Sequence, residues 1–341
     1  MRTQSRRLSG SAGSRRQVMA GLLGVPTFVA AGGLLRPAPG RAEDYPSRPL
    51  QMIVPFAPGG STDLAARIVA QKFGALLGQA VVVENKAGGG TVVGTRTVAK
   101  AEPDGYTLLY GSNTLALNPT LRHNLPYDTL RDLQPIGMVA RQPFVLVVNP
   151  ALPVKSVQEL VDYAKAHPGA VNFGSAGIGT GNHLVQELFA ILSGTQLQHV
   201  PYPGDGPMVT DLLAGRVQMT ISTIPSVMTY IQSGGLRALG VGDADPLPQL
   251  PDVPPISKAG VPGYVATGWN ALLAPAGIPS AVVEKLTTAL KQALADPKVS
   301  EALNKSGAVP AYEGPQQMTA YLNDEIKRWG EVIKARHIEL D

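Results

Sequence analysis

The chain has 341 residues, 29 of them basic and 25 acidic, and no cysteine. That length supports two domains with well-formed cores, and the missing thiol excludes disulfides, thiol chemistry, cysteine-ligated metal and a lipid-bearing cysteine. Residues 1–42 hold seven arginines and no acid, leaving 22 basic against 25 acidic residues, so the remainder sits near −3 and offers no support for nucleic-acid binding.

Residues 1–42 read as an export signal. Ser14-Arg15-Arg16-Gln17-Val18-Met19 resembles the twin-arginine pattern, with Val and Met where Phe and Leu are usual. The weakly apolar stretch at 20–35 is too short to stay in a bilayer. Gly40-Arg41-Ala42 places small residues at −3 and −1, so cleavage is expected before Glu43. Arg36 and Arg41 after the apolar stretch favour the twin-arginine route, with the general secretory route as the alternative. The mature part is expected to be soluble in the periplasm, since no later stretch is apolar enough to span a membrane.

Beyond the signal, short β-branched apolar runs alternate with helical patterns, which argues for βα units and mainly parallel sheets. Strands are predicted at 50–56, 80–84 and 107–110, with helices at 61–77 and 91–99 and a turn at Pro103-Asp104-Gly105. A new set begins with a strand at 144–148. A helix at 156–166, a strand at 171–174, a helix at 182–192, a strand at 197–200, a helix at 208–214 and a strand at 219–222 follow. The proline-rich stretch at 247–255 reads as an ordered loop. A strand at 271–275 precedes closing helices at 280–295 and 316–335, with Asp296-Pro297 as the stop between them. The fold class is therefore α/β with two lobes: 43–143 plus 268–341, and 144–267. The chain is expected to cross between them near 142–149 and 263–270.

Two loops are built alike, each a strand running into a glycine-rich turn that opens a helix. In the first, Pro55-Phe56-Ala57-Pro58-Gly59-Gly60-Ser61-Thr62-Asp63, the glycines let a ligand approach the backbone. The amides and hydroxyls of Ser61 and Thr62 can then hold a carboxylate at the positive helix end. Asp63 reads as a partner of the helix dipole. In the second, Gly174-Ser175-Ala176-Gly177-Ile178-Gly179-Thr180-Gly181-Asn182, alternate glycines suggest a nest of amides from Ser175, Gly177, Gly179, Thr180 and Gly181, with Asn182 and His183 opening the helix. A plain tight turn with a helix cap is the simpler alternative for either loop. Both occupy the carboxyl ends of strands, where open α/β sheets bind ligands, so both should face one cleft between the lobes. A third turn runs Tyr202-Pro203-Gly204-Asp205-Gly206-Pro207. There Asp205 either caps the next helix or holds an amino or hydroxyl group of a ligand.

Signs of catalysis are missing. Neither glycine loop contains Lys, Arg or a nucleophile beside a base, and nucleophile-elbow, dinucleotide and phosphate-loop motifs all fail. The histidines at 123, 167, 183, 199 and 337 form no sequence cluster, and His183 with Glu187 makes at most two metal ligands. No metal and no cofactor are expected.

At these motifs the sequence closely resembles the tripartite tricarboxylate transporter receptors, the Bug family of periplasmic solute-binding proteins. The resemblance runs from Tyr45 to the C-terminus. It is carried by Val54-Pro55-Phe56-Ala57-Pro58-Gly59-Gly60, Glu84-Asn85-Lys86-Ala87-Gly88-Gly89-Gly90, Ala101-Glu102-Pro103-Asp104-Gly105-Tyr106, Val200-Pro201-Tyr202-Pro203-Gly204 and Leu272-Leu273-Ala274-Pro275-Ala276-Gly277. The resemblance implies a type II-like periplasmic binding protein, each lobe a mainly parallel sheet flanked by helices, that closes over a carboxylate and delivers it to a membrane permease. The implied ligand contacts are Phe56, Ala57, Gly59, Gly60, Ser61, Thr62 and Asp63 from one lobe, and Ser175, Gly179, Thr180 and His183 from the other. Ser112, Asn113, Gly204, Asp205 and Thr223 are expected to read the distal end of the ligand.

Some positions depart from that family's pattern. Thr91-Val92 replaces a usual Gly-Asn, Ala87 a Pro, Pro203 a Lys, and Asp205 and Gly206 stand where alanines are common. An acid beside the cleft would repel a second ligand carboxylate by about 1 kcal/mol or more. Amino acid, aromatic acid and dicarboxylate ligands all stay open. The expected protein is a monomeric receptor working with the permease. A receptor that engages a sensor kinase's outer domain is the alternative, and a periplasmic enzyme acting on carboxylates is the remote one.

Overall fold

The computed structural model describes residues 45–340, so the expected export signal and its cleavage site lie outside the described residues. The first elements are β1 (Leu50–Val54), α1 (Ser61–Leu77), β2 (Val81–Asn85), α2 (Val92–Ala99), β3 (Thr107–Ser112) and α3 (Thr114–Leu121). A long strand follows, β4 (Leu133–Val148), then α4 (Val157–Ala166), β5 (Asn172–Ser175), α5 (Gly181–Ser193), β6 (Gln198–Pro201) and α6 (Asp205–Leu213). The remainder is β7 (Met219–Thr223), α7 (Ile224–Gln232), β8 (Arg237–Val241), α8 (Ile256–Ala259), β9 (Thr267–Pro275), α9 (Ser280–Ala295), α10 (Pro297–Lys305), β10 (Val309–Glu313) and α11 (Pro315–Ala335).

Two sheets share β4. In the first, β2, β1 and β3 lie parallel, while β9 pairs antiparallel with both β3 and β4, and β10 is antiparallel to β4. In the second, β7 and β8 flank the end of β4 antiparallel, and β5 is parallel to both β7 and β6. The outer βα strands are thus parallel as expected, and antiparallel pairing is confined to β4 and the strands around it. The change of sheet falls between Pro143, opposite Thr267, and Phe144, opposite Thr223.

The pleat of β4 divides its side chains by alternation. Phe144, Leu146 and Val148 enter the core beneath α4 and α5, while Val145 and Val147 enter the one beneath α6 and α7. In the first sheet, Leu50, Met52 and Val54 of β1 face the Ala65, Ala66, Val69, Ala70 and Phe73 stripe of α1. That stripe recurs at helical spacing, and left-handed Gly78 ends the helix by donating its N–H to the Gly74 carbonyl. Gly94 is required by close approach rather than by φ: a Cβ there would lie 2.7 Å from the Lys86 carbonyl and 2.8 Å from the Pro55 Cα. Through it α2 rests directly on the strand-end loop of β1.

Several elements exceed the sequence reading. Strand β4 begins eleven residues before the expected 144, and α3, α7, α8, α10, β8 and β10 were not anticipated. Asp296-Pro297 does stop α9, but it also starts α10, with the Asp296 carboxylate accepting the Lys298 N–H at 2.8 Å.

The long helix α11 is joined to β9 by one buried carboxylate. Glu325 Oε2 accepts the indole N–H of Trp269 at 3.3 Å and of Trp329 at 2.9 Å, and Oε1 pairs with Arg328 at 2.7 Å. Replacing Glu325 with Ala strands two buried indole donors, so a loss of about 2–5 kcal/mol in a denaturant titration is expected. Glu325→Gln, which keeps one acceptor, is expected to lose less.

Candidate functional site

Both glycine-rich loops close on side chains of their own helices. In the first, Gly59 is left-handed (φ 88°) and its N–H donates to Asp63 Oδ2 at 2.9 Å. Arg67 Nε reaches both carboxylate oxygens of Asp63 at 3.1 Å, and Asn85 Nδ2 donates to Oδ1 at 2.9 Å and to the Phe56 carbonyl at 3.1 Å. Burial alone would raise the Asp63 pKa, but the bonds from Arg67, the Gly59 amide and Asn85 outweigh it and hold the carboxyl below its ordinary range. Asp63 therefore braces the loop from inside. In the second loop Asn182 has the matching role: its Oδ1 accepts the Ala176 N–H at 3.1 Å and lies 2.7 Å from the Thr180 hydroxyl.

Neither helix is capped by a side chain. The N-caps of α1 and α5 are Gly60 and Thr180, both extended, and neither contributes a side-chain hydrogen bond to its helix. Two helix N-termini are thus left with their first-turn amides unspent by any cap, which is the arrangement that attracts an anion.

The two loops contribute to one cleft of about 490 Å³ lying between the sheets. Phe56 and Thr62 of the first loop, Ser112 and Asn113 after β3, Gly179 and Thr180 of the second loop, and Asp205 and Thr223 all line it. Ala57, Gly59, Gly60 and Ser61 do not line it, and neither do buried Asp63, Ser175 and His183 or half-buried Gly204. The cleft is narrow where β3 meets α5, since a Cβ on Gly181 would lie 2.7 Å from Asn113 Nδ2.

Other lining residues were not foreseen. Gly90 and Thr91 precede α2, and Thr114, Asn118 and Arg122 come from α3 and its end. Gln142 comes from β4, and Ser222 and Gly268 come from β7 and β9. Thr91 is left-handed at φ 78°, a conformation that suits glycine, and its hydroxyl bonds Thr114 at 3.0 Å and Asn118 at 3.3 Å. A glycine would hold that geometry without strain. The absence of Arg and Lys noted in the two loops does not extend to the cleft, because Arg122 reaches it from outside both. A second hollow of about 450 Å³, walled by Lys100, His123, Tyr127 and Arg131, draws on the first sheet's side alone and on neither glycine loop.

Asp205 is not a helix cap. The N-cap of α6 is Gly204, which makes no side-chain bond, and the Asp205 carboxylate turns to Asn182 (3.3 Å), Ser222 (3.4 Å) and Ser226 (3.2 Å). Burial raises its pKa, and the two serine bonds offset that only in part.

The histidines also depart from the expectation that they are scattered. His183 and His199 stack with ring centroids 3.9 Å apart, and Phe173 stacks on His199 at 4.8 Å. Ser175 Oγ lies 2.6 Å from His199 Nε2, so a hydroxyl does have a base beside it, although Ser175 is wholly buried. His183 Nδ1 accepts the Gly179 N–H at 3.1 Å, and its Nε2 lies 3.5 Å from Glu187, which pairs with Arg336 at 2.7 Å. Among the described residues no group of three His, Asp or Glu side chains is arranged to hold a metal, and no helix is long and apolar enough to cross a membrane.

Comparison with known proteins agrees with this geometry. The profile of the tripartite tricarboxylate transporter family receptor matches residues 65–338. Protein BugT of Bordetella pertussis is 42% identical over 309 residues, covering 90% of this chain and 94% of that protein. The structure of Rpa4515 from R. palustris with adipate is 35% identical, covers 86% of this chain and 99% of that one, and superposes with a TM-score of 0.76. MatC from Rhodopseudomonas palustris with bound malate is 30% identical over 85% of this chain and all of that one, with a TM-score of 0.71.

The brace at Asp63 makes stability depend on pH. Its folded pKa is depressed, so its contribution is complete above the unfolded value near 3.8 and is lost as pH falls through the folded one. Asp63→Asn is expected to cost about 1.5–3 kcal/mol at pH 7. Its melting temperature should draw closer to that of the wild type as pH falls below the unfolded value of 3.8, a trend that scanning calorimetry follows.

Proposed function

This chain belongs to the tripartite tricarboxylate transporter receptor family, and from that premise we propose that it is an extracytoplasmic receptor for a small organic carboxylate. One observation carries the reading: two helices from different sheets, α1 and α5, bring N-termini without side-chain caps to a single cleft. A hydrogen bond to a charged group contributes about 1.5–3 kcal/mol, and a helix terminus about 0.3–1 more. Four to six such bonds cover the roughly 8 kcal/mol of micromolar affinity before ordering costs.

The ligand's carboxylate sits between the first-turn amides of α1 and α5. Its remaining polar groups meet Ser112, Asn113, Asp205 and Thr223. An anionic Asp205 favours an amino or hydroxyl substituent there over a bare second carboxylate. The lobes are 43–143 with 268–341 and 144–267, joined where β4 passes from β9 to β7 at Pro143 and where β9 begins at Thr267, and they close about that joint. The mature protein works in the periplasm after removal of residues 1–42 and passes its ligand to a membrane permease. It has no catalytic role: Ser175 and His199 form the nearest approach to a nucleophile and base, and Ser175 is fully buried and outside the cleft.

The test is a thermal-shift screen at pH 7.5 with adipate, malate, glutamate and benzoate, followed by calorimetric titration. A ligand at a hundred times its Kd should stabilise the protein by about 2.7 kcal/mol. Thr62→Pro removes a first-turn amide of α1 from a residue that lines the cleft, within the turn where a helix tolerates proline. Affinity should then fall about 10–100-fold, with a ligand-free melt checking that the fold is kept, while Ser61→Ala, outside the cleft lining, should bind nearly as the wild type does. No shift with any carboxylate, or full affinity in a folded Thr62→Pro, would overturn the reading.

A further inference from the structure

His183 faces the second glycine loop but does not line the cleft. Its ring has two distinguishable nitrogens. Nδ1 accepts the Gly179 N–H at 3.1 Å, so that nitrogen is unprotonated and the ring's one proton sits on Nε2, toward Glu187 at 3.5 Å. Gly179 is held left-handed at φ 74°, and the residues beside it, Ile178 and Thr180, line the cleft with it. The glycine is closely packed, since a Cβ there would lie 2.8 Å from Leu340, itself part of the cleft wall, and 3.3 Å from Leu121.

Accepting the carboxylate reading above, we propose that His183 is a positioning residue: through the Gly179 amide it sets the cleft-facing turn, and a second proton on its ring competes with the ligand. That proton can add only at Nδ1, where it would oppose the Gly179 N–H donor to donor. The amide must then turn away, taking Ile178 and Thr180 with it. The groups facing the ring are few: Glu187 from its own helix, Arg336 beyond α11 bound to that carboxylate, His199 from β6, and apolar Phe173 from β5.

Glu187 faces the Nε2 side of the His183 ring as a carboxylate. Burial would raise the Glu187 pKa, but the bond to His183 and the charge of Arg336 hold it below its ordinary range, so the carboxylate is ionised. His199 does not take the proton instead. Its own pKa is lowered to about 4, first by burial and then by the stacked His183. The Ser175 hydroxyl, 2.6 Å from His199 Nε2 and 3.2 Å from the Gly177 nitrogen, ties that second ring to the same turn. Because the ligand-competent turn needs Nδ1 free to accept the Gly179 N–H, affinity is expected to fall on acidification.

The experiment has two arms, both on the full chain. Without ligand, the Gly179 amide proton shift and the His183 Cε1 shift are followed by NMR from pH 8 to 5.5. A common midpoint is expected, with the amide moving upfield on acidification. A Gly179 amide that stays still while His183 titrates would overturn the proposal. In the second arm, malate affinity is measured over the same range in wild type and His183→Gln, whose amide oxygen can still accept from Gly179. The wild type should weaken about tenfold per pH unit below the midpoint relative to the variant, and parallel curves would also overturn it. Should malate bind neither protein, the carboxylate reading suffers for that probe while the first arm still decides this one. If His183→Gln fails to fold, the first arm again decides alone.

Discussion

Backbone pairing along β4 governs everything else in the molecule. Its first eleven residues belong to one sheet and its last five to another, and a strand must keep its hydrogen-bond direction through such a passage. Because β1 and β5 each run parallel to their own neighbours within those two sheets, their carboxyl ends converge on the space between them. The loop that follows each strand then meets the other without any direct link in sequence. A cleft at the ends of strands is what open α/β sheets generally use for small molecules. Here the sheets supply two such ends at once.

The two loops solve one physical problem with different chemistry. A left-handed glycine turn exposes amides that would otherwise need water, and the first loop spends one of them, the second two, on side chains from the first turn of its own helix. On α1 the acceptor is ionised Asp63, held by Arg67 and Asn85. On α5 the acceptors are His183 and neutral Asn182, the latter close to the Thr180 hydroxyl and donating to Asp205. One wall is therefore locked by charge and indifferent to mild acid. The other depends on neutral amides and an imidazole. This asymmetry makes the second wall the softer half of the cleft.

Much of this was legible in the sequence, and what was not has identifiable causes. Helices 61–77 and 280–295 were readable to the residue because their apolar stripes are regular and their ends carry Gly78 or Asp296-Pro297. The early part of β4 was hidden by Pro135 and Gly137, which bracket a shift in the register with β9, and by Pro143 at the change of sheet. Helix α3 is short and carries Pro119, so no periodic signal announced it, and with it went Thr114, Asn118 and Arg122. The stacked histidines were invisible for another reason. They lie on α5 and β6, and only the pairing of Phe173 with His199 across β5 and β6 brings them together. Glycine-rich turns announce themselves locally, whereas the side chains that complete a cleft arrive through tertiary pairing.

The buried carboxylate of Glu325 has an optical consequence. The chain's two tryptophans are Trp269 and Trp329, and both indoles donate to that one group. Tryptophan fluorescence is therefore emitted from a single spot, beside the Glu325 carboxyl group, instead of being averaged over the molecule. Trp269 follows Gly268 of the cleft wall directly in β9. The protein thus carries its own chromophore one residue from the place where a ligand would sit, and needs no attached dye.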